Sequence, residues 1–295
     1  MNTFFLMFRD TLSDMLGSAG AKKGFLRALF LPIACVPALI FTLRMRRFNR
    51  NIQLGGTGFA ARKMLPLFYR GLSVIGTPPA PNSGGLVVCN HPGIGDSLAL
   101  LAVLPEGRFR MVARERDFFR AMPEVWKRLI IVPEDPSQRH RTVGEILNAI
   151  LKGDIVVLYP AGVIEPDPVF RDWGWLDREE PLLKEWSPII SLIVRLLKRS
   201  PNPPPVYPVL AKNVISQKAL FSWWASRGKT RKDQEEKAVG YQILRNLARD
   251  QNVELIFGEP LSVLELNADQ PGIEGMVKYI QEKVTVLNLN SLVNP

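Results

Sequence analysis

The sequence predicts an α/β fold, a largely parallel sheet flanked by helices, with an N-terminal membrane-associated helical segment in front of it. Three observations predict it. Short apolar runs of strand length recur along the chain, the stretches between them mostly carry helical periodicity or turn residues, and a charge-free apolar stretch with basic flanks precedes them all. The expected organisation is a membrane-associating helical segment over residues 1–55 and a larger domain over residues 56–295. A chain of 295 residues, 46% hydrophobic and 22% charged, is long enough to bury such a core and too apolar for disorder.

Phe4, Phe5, Phe8, Leu12, Met15 and Leu16 recur at helical spacing, so residues 3–17 predict an amphipathic helix that lies either on a membrane or on the domain. Residues 28–43 follow without a charge. At about 1.5 Å per residue they span roughly 24 Å as a helix, short of a hydrocarbon core of roughly 30 Å. Lys22, Lys23 and Arg27 precede this stretch, and Arg44, Arg46, Arg47 and Arg50 follow it. Pro32 and Pro37 sit inside it, where each removes a helix hydrogen bond. Two basic ends and two prolines predict a bent, monotopic segment in preference to a single span. No secretory cleavage pattern precedes it, so the larger domain is expected on the cytosolic face.

Leu86-Val87-Val88, then residues 109–112, 129–132, 155–159, 206–210 and 253–257, read as buried strands. Residues 78–85 and 200–205 are turn-rich connectors. Between Glu165 and Ser200, Trp173, Trp175 and Trp186 precede an apolar run with a basic end. That run reads either as a core-facing helix or as a second membrane-contacting surface, with the core reading preferred.

The net charge is +10, and residues 1–50, with eight basic and two acidic side chains, hold more than half of it. Arginines that abut an apolar run fit anionic headgroups better than a nucleic-acid patch, so membrane lipids are the expected partners and nucleic acid is not. Two cysteines exclude a disulfide framework, and two histidines without a Cys-x-x-Cys motif leave no recognisable metal site.

Chemistry then rests on His91 or His140. The segment LVVCNHPGIGDSLALL over residues 86–101 is an apolar strand, a Pro-Gly turn and a second apolar run opened by Asp96. The carboxyl end of a strand in an α/β sheet is where ligands bind. Asp96, five residues on, can return beneath the ring and orient the imidazole as a general base. Asp96 also reads as the N-cap of a helix over residues 97–103. The pair alone is a weak signal, expected by chance about one time in five. His140 and Glu145 repeat the spacing, but in a polar, turn-like stretch that reads as surface.

The order of motifs adds specificity. Asn90-His91-Pro92-Gly93-Ile94-Gly95-Asp96 resembles the NHxxxxD box of the glycerolipid and lysophospholipid acyltransferase superfamily, of which 1-acylglycerol-3-phosphate acyltransferase is the type. The stretch from Met111 through Arg114 and Arg116 to Val132 resembles its second block. Tyr159-Pro160-Ala161-Gly162 falls where the family has FPEG, and residues 206–210 and 253–261 resemble its two late strands. The likeness covers roughly residues 70–265. The third box departs from FPEGTRS, with Ala161 in place of the glutamate and Ile164 in place of the arginine, and the second block lacks its closing arginine. A PAG version of this box occurs in a divergent, hemolysin-like branch, so the departures argue for a nonstandard acceptor.

The resemblance implies an acyltransferase catalytic domain in which His91 deprotonates an acceptor hydroxyl and Asp96 orients it. The acyl donor would be an acyl-CoA or acyl-carrier-protein thioester, as co-substrate, with no cofactor. Asn90, Gly93, Gly95, Arg114, Arg116, Pro160, Gly162 and Glu165 are the expected substrate-binding residues. Among these, backbone amides around Gly93 to Gly95 or Gly162 would hold an oxyanion, Arg114 with Arg116 would grip an acceptor phosphate, and Glu165 would contact a hydroxyl or amine. The function expected is transfer of a fatty acyl group to a lysophospholipid or related glycerolipid hydroxyl. A catalytically silent lipid-binding protein and a lipid esterase are the alternatives.

Overall fold

The computed structural model describes residues 3–18, 24–177, 179–245, 251–269 and 272–290. Seven strands form one sheet: β1 (Gly71–Ile75), β2 (Gly85–Cys89), β3 (Phe109–Arg114), β4 (Leu129–Val132), β5 (Ile155–Leu158), β6 (Val206–Lys212) and β7 (Asn252–Phe257). Their order is β1-β7-β6-β2-β5-β3-β4. Every neighbouring pair is parallel except β6 and β7. The six strands read from apolar runs are present. β1 is an addition: it is a half-exposed strand of mixed polarity at the sheet edge, so it lacks the apolar run that marks the others.

β2 lies between β5 and β6, and all five of its residues are buried. Its side chains alternate between two cores, as the period of a strand requires. Leu86 and Val88 pack with Val156, Leu158 and the helices Arg139–Leu151, Ile189–Leu197 and Ile273–Asn290. Val87 and Cys89 pack on the opposite side with Val157, Val209, α3 (Ile94–Val103) and the last turns of α2 (Phe25–Met64). Helices therefore cover both faces, which explains why the strands read as continuous apolar runs.

The helix Ile189–Leu197 buries Ile190, Ile193, Val194 and Leu197, and Trp186 is buried before it. Its apolar face is core, as the preferred reading of this run has it, and not a second membrane surface. α1 (Thr3–Ser18) buries Met7 and Leu16 against the protein and is tied to it by Arg9 to Asp117 at 3.1 Å and by Asp10 accepting from the Phe118 amide at 3.0 Å.

α2 runs through Pro32 and Pro37 without leaving helical geometry. No break in the helical dihedrals falls at either proline. The break falls instead at Gly56, whose φ of 82° is a left-handed conformation that side chains disfavour. Phe48 and Ile52, on the near side of that break, already pack into the sheet core. Toward the N-terminus Leu29, Ile33, Val36, Leu39, Ile40 and Leu43 are exposed, and among the described residues this is one helix long and apolar enough to cross a membrane. Lys22 and Lys23 of the basic flank lie outside the described residues.

Candidate active site

β2 delivers Asn90 and His91 to the carboxyl edge of the sheet, and the Pro-Gly turn reverses the chain directly into α3. That helix starts at Ile94, three residues earlier than the sequence suggests, so Asp96 lies in its first turn and not at its cap. The carboxylate returns toward the turn, and its Oδ2 accepts from the Gly93 amide at 3.0 Å and meets His91 Nδ1 at 2.9 Å. Asp96 is fully buried, whereas the His91 side chain is 28% exposed. Nδ1 is thereby engaged by the carboxylate, which leaves Nε2 as the basic nitrogen of a neutral ring. Burial works to lower the imidazole pKa, but the Asp96 charge, its hydrogen bond and the Glu165 charge outweigh it and hold His91 above the ordinary histidine value.

Because β5 runs parallel beside β2, with Val88 opposite Leu158, the residue that follows β5 reaches the same edge. This is Tyr159, whose ring stacks on His91 with centroids 4.4 Å apart. Its hydroxyl is 3.0 Å from Ser97 Oγ and donates to Asp96 Oδ1 at 3.3 Å, where Ser97 also donates at 2.9 Å. Burial first, then the Asp96 charge, pushes the Tyr159 phenol well above its usual range, so it is a neutral donor. Neither Tyr159 nor Ser97 was a site residue by sequence. Tyr159 enters the sequence reading only as the first residue of the third box, and its contact with His91 depends on which strand lies beside β2.

The remaining expected residues divide sharply. Asn90 is fully buried and faces Ala211 of β6, donating to its carbonyl at 2.9 Å and accepting from its amide at 2.7 Å. It extends the β2–β6 ladder and has no free edge for a substrate. Gly95 is buried against Tyr69, and a Cβ there would overlap the Tyr69 hydroxyl. Its smallness serves packing. Pro160 is buried, and its carbonyl accepts from the Ser187 amide at 3.1 Å.

Two amides proposed for an oxyanion are already spent, that of Gly93 on Asp96 and that of Gly162 on the Tyr159 carbonyl at 3.1 Å. Arg114, at the end of β3, is exposed and donates to the Gly162 carbonyl at 3.0 Å, so it stands beside the β5 loop with further N–H groups to offer. Arg116 instead pairs with Asp14 of α1.

Glu165 is held most tightly of these residues. It is fully buried, Oε2 accepts from the His91 amide at 3.1 Å, and Oε1 accepts from the Lys184 amide and from Trp186 Nε1, both at 3.0 Å. The Glu165 amide in turn donates to the His91 carbonyl at 2.9 Å. Burial raises the carboxyl pKa against these bonds. Glu165 holds the backbone that carries the histidine, and both of its carboxylate oxygens are taken by protein donors. Asp167, two residues on, is also fully buried and accepts from the amides of Val169, Asn213, Val214 and Ile215, which fastens the loop after β6 to the same segment.

His140 is exposed, with Nδ1 2.7 Å from the Ser137 carbonyl. Among the described residues no three His, Cys, Asp or Glu side chains meet as metal ligands.

No family model and no curated protein matches the chain. Among solved structures it is similar to the 1-acyl-sn-glycerophosphate (LPA) acyltransferase PlsC from Thermotoga maritima. The identity is 12% and the TM-score 0.46, over 99% of this chain and 95% of that one. Likeness at this level leaves the reading of the site to its own side chains.

Proposed function

We propose that this protein is a membrane-associated O-acyltransferase that moves a fatty acyl group from an acyl-CoA or acyl-carrier-protein thioester to a lysophospholipid or related glycerolipid hydroxyl. The observation that carries the reading is the contact of His91 Nδ1 with the buried Asp96 carboxylate at 2.9 Å, at the carboxyl end of the central strand. The order of boxes that resemble the glycerolipid acyltransferases supports it.

In this mechanism His91 Nε2 takes the proton of the acceptor hydroxyl as its oxygen attacks the thioester carbonyl carbon. Asp96 stabilises the imidazolium so formed. The tetrahedral oxyanion collapses with cleavage of the carbon–sulfur bond, and the imidazolium returns its proton to the departing thiolate. The products are an ester and a free thiol. Arg114 would hold an acceptor phosphate by the guanidinium N–H groups not directed at Gly162. The exposed apolar stretch of α2 supports membrane association, and the catalytic domain would face the cytosol.

The test is thiol release from acyl-CoA and acyl-carrier protein across a panel of lyso-lipid acceptors, with His91→Ala and Arg114→Ala in parallel. Acceptor-dependent release is expected to vanish in His91→Ala. Arg114→Ala is expected to raise KM for a phosphate-bearing acceptor about tenfold or more, the scale of a lost charge-assisted hydrogen bond. Wild-type transfer by His91→Ala would end the mechanism. Ester cleavage in water without any thioester would make the protein an esterase, and no turnover of either kind would make it a lipid-binding protein.

A further inference from the structure

We propose that residues 217–232 form a second contact with an anionic phospholipid bilayer, beside the exposed stretch of α2. The proposal rests on the membrane association argued above. Two short helices, Gln217–Leu220 and Trp223–Ser226, present Phe221 at 51% and Trp223 at 65% exposure. Exposing two large aromatic rings to water on adjacent turns costs apolar hydration that a lipid interface would remove. Trp is the side chain that favours the headgroup level, where its apolar body is buried and its N–H stays wet.

Three further observations select a lipid surface as the occupant. The first is continuity. Trp224, next to the exposed Trp223, meets Phe30 of α2 with ring centroids 6.1 Å apart, in the same stretch where Leu29, Ile33 and Val36 are more than half exposed. The second is charge. Residues 217–232 contain five basic side chains and no acidic one, complementary to anionic headgroups. Arg231 is engaged by Glu180, while Arg227 and Lys229 are exposed beside the aromatics. The third is geometry. The Arg227 guanidinium lies 3.8 Å from the centre of the Trp223 ring, so cation and indole share one outward-facing unit, as an interfacial anchor requires. A partner protein would meet the same rings, but the acidic groups that border them, Glu180 and Asp233, are already paired with Arg231 and Lys237.

The test uses the full chain with Cys35 replaced by serine and an environment-sensitive fluorophore attached at Trp223→Cys. Leu151→Cys carries the same probe as a control, being exposed at the end of a helix that packs on the opposite face of the sheet from α2. The probe is read on vesicles of phosphatidylcholine, alone or with a third of phosphatidylglycerol, and containing brominated acyl chains. The expected result is a blue shift and a loss of about half the emission at position 223, larger with phosphatidylglycerol, and none at position 151. Vesicle-bound protein with an unquenched probe at 223 would overturn the second contact and leave membrane association by α2 standing. Protein that stays in solution with every vesicle would remove both. A blue shift at 223 that grows with protein concentration in the absence of lipid would assign the patch to protein association and overturn the proposal.

Discussion

Tyr159 lies over His91 with 27° between the ring planes, and its hydroxyl ends at the one Asp96 oxygen that His91 does not use. The two carboxylate oxygens are thus divided, Oδ2 for the imidazole and the Gly93 amide, and Oδ1 for Ser97 and Tyr159. Each donor to Oδ1 spreads the negative charge and moderates its pull on the histidine proton. The basicity of His91 is therefore set partly from the neighbouring strand.

A pH dependence follows with a definite sign. His91 must be neutral to accept a proton, so activity rises with pH through its pKa, which lies above the ordinary 6.5. Tyr159→Phe keeps the stacked face and removes one donor to Oδ1, which leaves the Asp96 negative charge less spread and His91 harder to deprotonate. The acid limb of kcat/KM is expected to move up by about half a pH unit, on the scale of one net hydrogen bond. A limb that stays in place would show that the hydroxyl does not reach the dyad electrostatically.

Glu165→Gln is expected to lower kcat about tenfold or more while leaving KM close to wild type, because it acts through the His91 backbone and not on a ligand. An amide cannot accept on both sides, so either the His91 amide or the Lys184 and Trp186 donors lose a partner. Loss of the Glu165 charge also removes a contribution that raises the His91 pKa, so the acid limb is expected to shift to lower pH. A raised KM with kcat unchanged would return Glu165 to the role of a substrate contact.

Gly95→Ala is expected to destabilise the fold by about 1–3 kcal/mol, measured by urea unfolding. The new methyl would meet Tyr69, which cannot swing away cheaply, since it is buried and its hydroxyl donates to the Val214 carbonyl at 3.1 Å and accepts from Gln242 at 3.2 Å. Unchanged stability with lost activity would instead mean that Gly95 is small for the sake of a ligand.

The dyad was legible because it is local. An apolar strand, a Pro-Gly reversal and an acid in the first turn of the next helix lie within a few residues, and backbone geometry alone returns Asp96 to His91. The strand pattern was legible for a related reason: a sheet covered on both faces needs continuous apolar runs, and only the half-exposed edge strand β1 escaped that signature. The helix continues through Pro32 and Pro37 because each proline removes a hydrogen bond while keeping a helical φ, whereas Gly56 takes a backbone conformation that breaks the helix.

Sequence by itself thus determined the α/β class, the position of the histidine and its acid, and the apolar basic-flanked stretch that opens the chain. The tertiary structure alone decided what stands around them. Tyr159, Asn90 and Glu165 take their roles from strand order, since parallel neighbours are joined by long crossovers and no local pattern records which strands lie side by side. Asn90 bonds Ala211, 121 residues away, and Glu165 bonds the amide of His91, 74 residues away. At such separations a side chain that could touch a substrate and one that clamps a backbone look the same in sequence. Burial separates them: Glu165 is closed off from solvent while His91 keeps an open edge.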